Sequence, residues 1–393
     1  MTGGRKASLL LAAGTSSRMG DFKPLLRLGD GVLVERGIRL FRQAGIEDIR
    51  VVLGHRSAEV IPFLNKHKVR WVVNEDYPSG MFSSVRAGVA SLEQDIEAFF
   101  LLPADVPLVR AQTILEMFEA YRAESCEIVF PLFGNRRGHP VLLATSLVPR
   151  LLSWQGEGGL RSFLDVCGCR SMDLEVADEN VLFDVDTPAD YEELLVRDQR
   201  SGIPSVRECR VLLTRKFCRD SQVLEHSKAV ARVALCLAKE LNRIGHQHDL
   251  DLIRAAALLH DIAKGQPDHA VAGSQILFQM GCPAVAEVVR SHMDIVLDPD
   301  KPVDAREILY LADKLVEEDR FVMLEQRFGA KQKRLQRDPS AGTAIAARWA
   351  NALEIQERLQ RTLGLPLETL LERLAETVHD HESDDLLAAA WRD

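Results

Sequence analysis

Between residues 7 and about 190, short and nearly unbroken apolar runs alternate with segments of helical period; beyond about 220 such runs stop. The strand candidates are ASLLLAA (7–13), IRVVLG (49–54), VRWVVN (69–74), AFFLLPAD (98–105) and EIVFPLF (127–133). An apolar run without polar alternation is buried on both faces, which requires a parallel sheet covered by helices on each side. The intervening segments supply those covers: VLVERGIRLFRQAG sets Leu33, Ile38, Phe41 and Ala44 at helical spacing. The amino-terminal half therefore reads as a doubly wound α/β domain.

Past DVDTPADYEELL the pattern changes. AVARVALCLAKELNRIG, DLIRAAALLHDIAKG, VAEVVRSHM, AREILYLADKLVEE and ETLLERLAETVHD are rich in Ala, Leu, Glu and Arg, with helical period and almost no strand-like run. The second half is thus all-α. Between the halves, RDQRSGIPSVRECR carries the Gly, Pro and charge of a linker. The expected division is an α/β domain over 1–196, a linker over 197–220, a helical domain over 221–330 and a helical extension over 331–393. A length of 393 residues fits more than one domain at roughly 150 residues each.

With 58 Asp and Glu against 49 Lys and Arg, the formal charge is -9, which disfavours nucleic acid or an anionic membrane as the main partner. No stretch reaches the roughly 18 apolar residues of a membrane span. The opening MTGGRKASLLLAAGTSSRMG has a signal peptide's basic and apolar residues, but its apolar run gives way at once to Gly, Ser and Arg, as a strand entering a phosphate loop does. The 7 cysteines include no Cys-x-x-Cys, and the Cys167 and Cys169 pair has no second pair beside it to complete a metal site. A cytoplasmic protein with free thiols is the expectation.

LAAGTSSRMGDFKPLL, residues 11–26, follows the first strand directly. Small residues and Gly14 let backbone N–H groups turn toward an anion, and Arg18 and Lys23 bring two positive charges to a polyphosphate. The loop is neither a Walker sequence, since it lacks Gly-Lys-Ser/Thr, nor GxGxxG. Asp105 in LPADVP ends an apolar strand at the edge where open α/β sheets bind ligands, and Asp184 and Asp186 in FDVDTPADY follow another apolar stretch. Carboxylates converging from separate strand ends suit Mg2+ bound together with substrate phosphates, although each Asp alone would serve equally as a turn or helix cap.

LAAGTSSRMGDFKPLL, NEDYPSGMFSSVRAG (74–88), LPADVPLV, RGHPVLL (137–143) and FDVDTPADY, in that order, resemble the successive motifs of the molybdenum cofactor nucleotidylyltransferases, the MobA-like NTP transferases. The resemblance implies a Rossmann-like nucleotidyltransferase domain that joins a nucleotide to molybdopterin. It puts Leu11, Ala12, Ala13, Gly14, Arg18 and Lys23 on the triphosphate, with Asn74, Gly80, Ser83 and Ser84 beside base and ribose. Asp105 and Asp186 inherit the Mg2+, while Gly138, His139 and Pro140 face the pterin. Arg18, Lys23 and Asp105 carry the catalysis. Members that use CTP tend to read LAAG at the first loop where GTP users read LAGG, and this chain reads LAAG. The implied reaction is attack of the molybdopterin phosphate on the α-phosphorus of CTP, releasing pyrophosphate, with a molybdoenzyme or its chaperone as onward partner. Guanylyl transfer and sugar-phosphate nucleotidylyl transfer are the alternatives of the same class.

The helical half holds His226, His260, Asp261, His269, His292 and Asp313 among residues that are otherwise mostly Ala, Leu and surface charge. His260 and Asp261 close the apolar run AAALLHDIAK, on the inward side of a buried helix, where unpaired polar groups are costly and a metal removes the cost. Imidazole with carboxylate suits Fe, Mn, Zn or another divalent transition ion, and a carboxylate bridges two of them readily. LEHSKAV, LLHDIAKG, SHMDI and YLADKLVEEDR resemble the HD-domain phosphohydrolases. That resemblance implies one or two divalent metals held by His226, His260, Asp261 and Asp313. His269 and His292 stand where a dinuclear subgroup has its further ligands, and Lys264 where the family contacts phosphate. It leaves the substrate open, and a non-catalytic, nucleotide-sensing role is the alternative. RWANALEIQERLQRTLG and LETLLERLAETVHD read as packing or dimer surfaces, and His379, Asp380 and His381 as a charged turn.

Overall fold

All five apolar runs form strands in the computed structural model, which describes residues 4–217, 221–334 and 339–372; Cys218, His379, Asp380 and His381 lie outside the described residues. The first of two compact units, Met1–Ser201, begins with β1 (Arg5–Ala12), the short ribbon β2 (Arg27–Leu28) and β3 (Gly31–Val32), α1 (Leu33–Gln43) and β4 (Asp48–Leu53). Then come α2 (Ser57–Lys66), β5 (Arg70–Val73), α3 (Met81–Ala90), β6 (Ile96–Pro103) and α4 (Ala111–Ala123). The unit closes with β7 (Ile128–Phe133), β8 (Arg136–Arg137), β9 (Val141–Ala144), α5 (Val148–Ser153), α6 (Gly159–Val166), β10 (Ser171–Glu175) and α7 (Pro188–Gln199).

The main sheet has the order β10-β7-β9-β6-β1-β4-β5. β6, β1, β4 and β5 run parallel, so their carboxyl ends share one edge. Leu9 and Leu10, Val51 and Val52, and Phe99 and Phe100 all have 0% exposure, and successive strand residues point to opposite faces, so both faces are covered. Leu33, Ile38, Phe41 and Ala44 are buried under α1, as their spacing predicts. Gly37 lets that helix approach the sheet closely, since a Cβ there would come within 2.7 Å of the Leu10 side chain.

The sheet is mixed rather than wholly parallel. β9 is antiparallel to both β6 and β7, because the return over 134–140 is too short for a helical crossover. β10 is a further strand, concealed by its polar sequence SMDLE. Cys167 and Cys169, expected as free thiols, are joined in a disulfide across Gly168, whose left-handed φ of +61° turns the chain between them.

The second unit, Gly202–Asp393, is built of helices: α8 (Val206–Val211), α9 (Ser221–Arg243), α10 (Leu250–Leu259), α11 (His269–Gln279), α12 (Pro283–Arg290), α13 (Ala305–Lys314), α14 (Leu324–Arg334) and α15 (Pro339–Leu363). Residues 255–259 of α10 and 308–312 of α13 are buried on every side, which marks these two helices as its centre. Two features differ from the sequence reading. Helix occupies much of 197–220: α7 continues to Gln199, and Ser205 caps α8 by accepting from the Glu208 N–H, with Cys209, Leu212 and Leu213 buried. A hairpin of β11 (Val316–Glu317) and β12 (Arg320–Phe321) also interrupts the helices. Among the described residues no helix is long and apolar enough to cross a membrane.

Candidate functional site

The edge where β1, β4, β5 and β6 end gathers the first set of residues. The exit of β1 is pinned by the Ala104 N–H donating to the Leu11 carbonyl (2.9 Å) and the His55 N–H donating to the Ala13 carbonyl (3.2 Å). Leu11, Ala12 and Ala13 are buried, whereas Gly14 is exposed with open space where a Cβ would stand. Ser16, at a left-handed φ of 58°, folds the loop back, and its Oγ accepts from the Lys23 N–H at 3.0 Å. The Lys23 ammonium lies between two carboxylates, 3.1 Å from Asp105 Oδ2 and 2.6 Å from Asp186 Oδ1. Arg18 reaches the other Asp186 oxygen at 2.8 Å.

Asp105 follows β6, and Asp186 precedes α7, where the capping pair Thr187 and Asp190 fixes the chain: Asp190 Oδ2 accepts from the Asp186 N–H at 3.0 Å. The Val185 N–H donates to the Asp105 carbonyl at 2.9 Å and ties the two segments together. Burial pulls the Lys23 pKa down, but the hydrogen bonds and charges of Asp186 and Asp105 outweigh it and raise the pKa above the ordinary value. Burial lowers the His139 pKa against the pull of Asp105 and Asp184, so the imidazole is neutral at pH 7. Its Nδ1 is buried with no hydrogen-bond partner among the described residues. Pro140 is buried after it. Gly138 has a packing reason apart from any substrate contact, since a Cβ there would stand 2.3 Å from the Val181 carbonyl oxygen.

Asn74 is buried, and its Nδ2 donates to Ser83 Oγ (2.8 Å) and Ser84 Oγ (3.0 Å), so the amide nitrogen locks the start of α3. Gly80, at a φ of +99°, opens that helix, and its carbonyl accepts from Ser83 Oγ at 2.8 Å. Sequence reasoning missed the rings beside this loop: His55 has its centroid 6.0 Å from Phe22 and 6.0 Å from Tyr77. The available signal was its place just after IRVVLG, at another strand end.

The second set lies at helix ends in the second unit. His226 comes from α9, His260 and Asp261 from the turn closing α10, His269 from the start of α11, His292 from just past α12, and Asp313 from α13. Three imidazoles are oriented from behind, with Nδ1 of His226, His260 and His292 meeting the carbonyls of Glu318 (2.7 Å), Ala257 (2.8 Å) and Val289 (2.7 Å). A carbonyl only accepts, so each Nδ1 carries a proton, and in the neutral form of each ring Nε2 turns its lone pair inward. His226 Nε2 then faces Asp313 Oδ1 at 3.2 Å, His269 Nε2 lies 3.2 Å from Asp261 Oδ1 and 3.1 Å from His292 Nε2, and His260 Nε2 is buried without a hydrogen-bond partner among the described residues, 3.6 Å from Asp261 Oδ2 and 3.8 Å from Asp313 Oδ1.

With the rings neutral, acceptors face acceptors in a buried place, and a cation between them removes that cost. Ligand atoms of His226, His260 and Asp261 lie within 4.8 Å of one another, and so do those of Asp261, His269 and His292. Asp261 belongs to both groups, as one carboxylate bridging two ions requires. The donor set therefore fits divalent metal.

Burial pushes the His260 pKa down to about 4, which keeps the ring neutral. Burial opposes the charge on Asp261, yet its carboxyl is held well below the usual range, with the Lys264 ammonium beside it. Lys264 Nζ stands 2.5 Å from Asp261 Oδ2. Burial likewise opposes ionised Asp313, while the charges of Lys314 and Arg327 hold its pKa low. Lys314 and Arg327 were not singled out from the sequence. Lys314 Nζ donates to Asp313 Oδ2 (2.6 Å) and to the His292 carbonyl (2.8 Å), and Arg327 donates to the carbonyls of Asp313 and Val316. The signal for Lys314 was its position in EILYLADKL, a lysine in an otherwise apolar stretch. A cavity of about 390 Å³ opens onto His226, Asp261, Lys264, His269, His292 and Asp313.

Residues 8–174 match the MobA-like NTP transferase domain family, and residues 223–317 match the HD domain. The molybdenum cofactor cytidylyltransferase of Escherichia coli strain K12 is 27% identical over 184 residues, which are 47% of this chain and 92% of that protein. The nicotine blue oxidoreductase of Paenarthrobacter nicotinovorans is 30% identical over 194 residues, 48% of this chain and 95% of that protein. Among solved structures, Rv0371c from Mycobacterium tuberculosis H37Rv has 27% identity and a TM-score of 0.45, covering 50% of this chain and 100% of that one.

Proposed function

The chain belongs to the MobA-like NTP transferase family through its first unit and carries an HD domain in its second, and from this we propose that it transfers CMP from CTP to molybdopterin while its HD site hydrolyses a phosphate ester. The observation that carries the first half is Lys23 seated between Asp105 and Asp186, with Arg18 alongside. Mg2+ held by the two aspartates supplies charge neutralisation on the phosphates of the nucleotide. Lys23 turns from the carboxylates to phosphate oxygens, and Arg18, with its side chain 71% exposed, swings over the departing pyrophosphate. Leu11 to Ala13 hold the loop in place, and the open space at Gly14 admits the triphosphate to the backbone N–H groups.

A molybdopterin phosphate oxygen bonds to the α-phosphorus as the bond to the bridging oxygen of pyrophosphate breaks. The electron pair leaves with pyrophosphate, so no protein atom is modified and rate depends on alignment and charge placement. Gly80, Ser83 and Ser84, fixed by Asn74, border the base and ribose. Neutral His139, between Gly138 and Pro140, presents its edge to the pterin. LAAG at the first loop favours cytidine, and the product passes to a molybdoenzyme or its chaperone. In the HD site, His226, His260, Asp261, His269, His292 and Asp313 hold one or two divalent transition ions such as Fe or Mn, which when bound activate water for attack on phosphate. Lys264 meets the phosphate, and Lys314 and Arg327 keep Asp313 in position.

The test is incubation of the full chain with molybdopterin, Mg2+ and each labelled NTP, following pyrophosphate and dinucleotide. CTP-dependent product is the expected result; a preference for GTP, or for sugar phosphate as acceptor, replaces the substrate assignment. Redox turnover of nicotine blue without pyrophosphate release overturns the transferase reading. For the HD half, metal analysis is followed by phosphate release across a nucleotide panel. Bound metal without hydrolysis assigns it a sensing role instead.

A further inference from the structure

Beside the HD cavity lies a second one of about 450 Å³, and the two share His269 and Met293 in their walls. Its chemistry is different: it is lined by three arginines, Arg290, Arg306 and Arg348, against two aspartates, Asp268 and Asp294. Arg348 is bidentate to Asp294 at 2.8 and 2.9 Å, and Arg306 Nε and Nη2 both donate to Asp304 Oδ2, at 2.9 and 2.6 Å. Those two are held in place and largely neutralised. Arg290, the last residue of α12, is exposed and its guanidinium has no partner among the described residues. Val271 and Val296, 40% and 90% exposed, add apolar surface to the same lining. An uncommitted guanidinium beside apolar surface is what a phosphate with an attached flat, hydrophobic group requires.

We infer that this second cavity receives the departing half of the HD substrate and that this half carries its own phosphate, so the substrate is a nucleotide phosphoanhydride rather than a monoester with a neutral leaving group. The inference rests on the phosphohydrolase reading given above. Water forms the new P–O bond at the phosphorus lying against the His and Asp cluster. The P–O bond to the second phosphate breaks, and its electron pair stays on the departing nucleotide, which Arg290 neutralises. One water is consumed and its protons pass to the two phosphate products and solvent.

The full-length, metal-loaded protein is assayed with ADP and with p-nitrophenyl phosphate, and the Asp261→Ala rate is subtracted as background. In Arg290→Glu the KM for ADP rises about tenfold or more while kcat holds and p-nitrophenyl phosphate turnover stays within about twofold. Equal shifts for both probes, or none, overturn the cavity's role. Calorimetry with ADP provides a readout independent of turnover: Arg290→Glu loses one ADP site per chain, and Lys23→Ala keeps that site. If that site is lost in Arg290→Glu although no probe is hydrolysed, the cavity stands and the hydrolase reading falls. ADP binding unchanged by Arg290→Glu overturns the cavity whether or not the chain hydrolyses anything.

Discussion

At the sheet edge of the first unit the charges already answer one another: Lys23 is shared by Asp105 and Asp186, and Arg18 takes the remaining Asp186 oxygen. Among the helices of the second unit they do not, because with the rings neutral His226 Nε2 faces an Asp313 oxygen as one acceptor faces another, and His260 Nε2 is buried without a hydrogen-bond partner among the described residues. This contrast locates the source of each unit's stability. A self-paired site costs little to keep in the absence of ligand, and its ion pairs must be exchanged for new ones when a nucleotide enters. A site of inward-facing acceptors holds unmet interactions, so the ion that fills it also stabilises the fold.

The steepest loss is expected at the first site. Lys23→Ala lowers pyrophosphate release about a thousandfold, equivalent to about 4 kcal/mol in the barrier, while circular dichroism of the fold is unchanged. Wild-type turnover in that variant would erase the contrast between the two sites at once. Next is acid stability of the metal-free chain. His260 has its folded pKa depressed from 6.5 to about 4, so the folded state binds fewer protons than the unfolded state between these values. Its contribution of about 3 kcal/mol is present in full above pH 6.5 and is lost as pH falls toward 4. Denaturant titrations from pH 7.5 to 4 on wild type and His260→Gln measure it, and a pH slope that is the same in both refutes it.

Metal loading comes third. Divalent ion at a hundredfold over its Kd stabilises the second unit by about 2.7 kcal/mol, and a chelator removes that gain while leaving the first unit's transition where it was. Calorimetric scans with Mn2+ and with EDTA show whether one transition moves or both. A milder change is Thr187→Ala, which removes the helix cap next to Asp186 and costs about 1 kcal/mol in a urea titration. A rise in its KM for CTP would show that the self-paired site depends on that cap to place the carboxylate; an unchanged KM would show that the ion pairs alone suffice.

Much of this was legible in the chain itself, and for definite reasons. Buried strands announce themselves as apolar runs, so ASLLLAA, IRVVLG, AFFLLPAD and EIVFPLF appear as β1, β4, β6 and β7, whereas VRWVVN, read as equally buried, forms β5 at the sheet edge with Trp71 and Val73 exposed. A run does not state its direction: β9 is as apolar as its neighbours, and only the short return over 134–140 makes it antiparallel. Loop and strand-end motifs carried Lys23, Asp105 and Asp186, because sheet topology brings strand ends together whatever their separation in sequence. Lys314 and Arg327 were hidden, since their partners are backbone carbonyls and a carboxylate on other turns and helices, and no spacing rule encodes such contacts. The segment 197–220 was obscured by its Gly, Pro and charge, although the Ser205 to Glu208 capping pair was there to be read.

The hairpin of β11 and β12 places the Glu318 carbonyl against His226 Nδ1, and that residue adopts a left-handed φ of 57°. The contact is blind to side-chain identity. Exchange of Glu318 for Gly or Asn keeps the oxygen where it is and relieves the backbone, whereas deleting a single residue from this turn re-aims the ring. Tolerance here is thus a matter of chain length rather than of chemistry, and variation among related chains at position 318 does not reveal whether their metal centre survives.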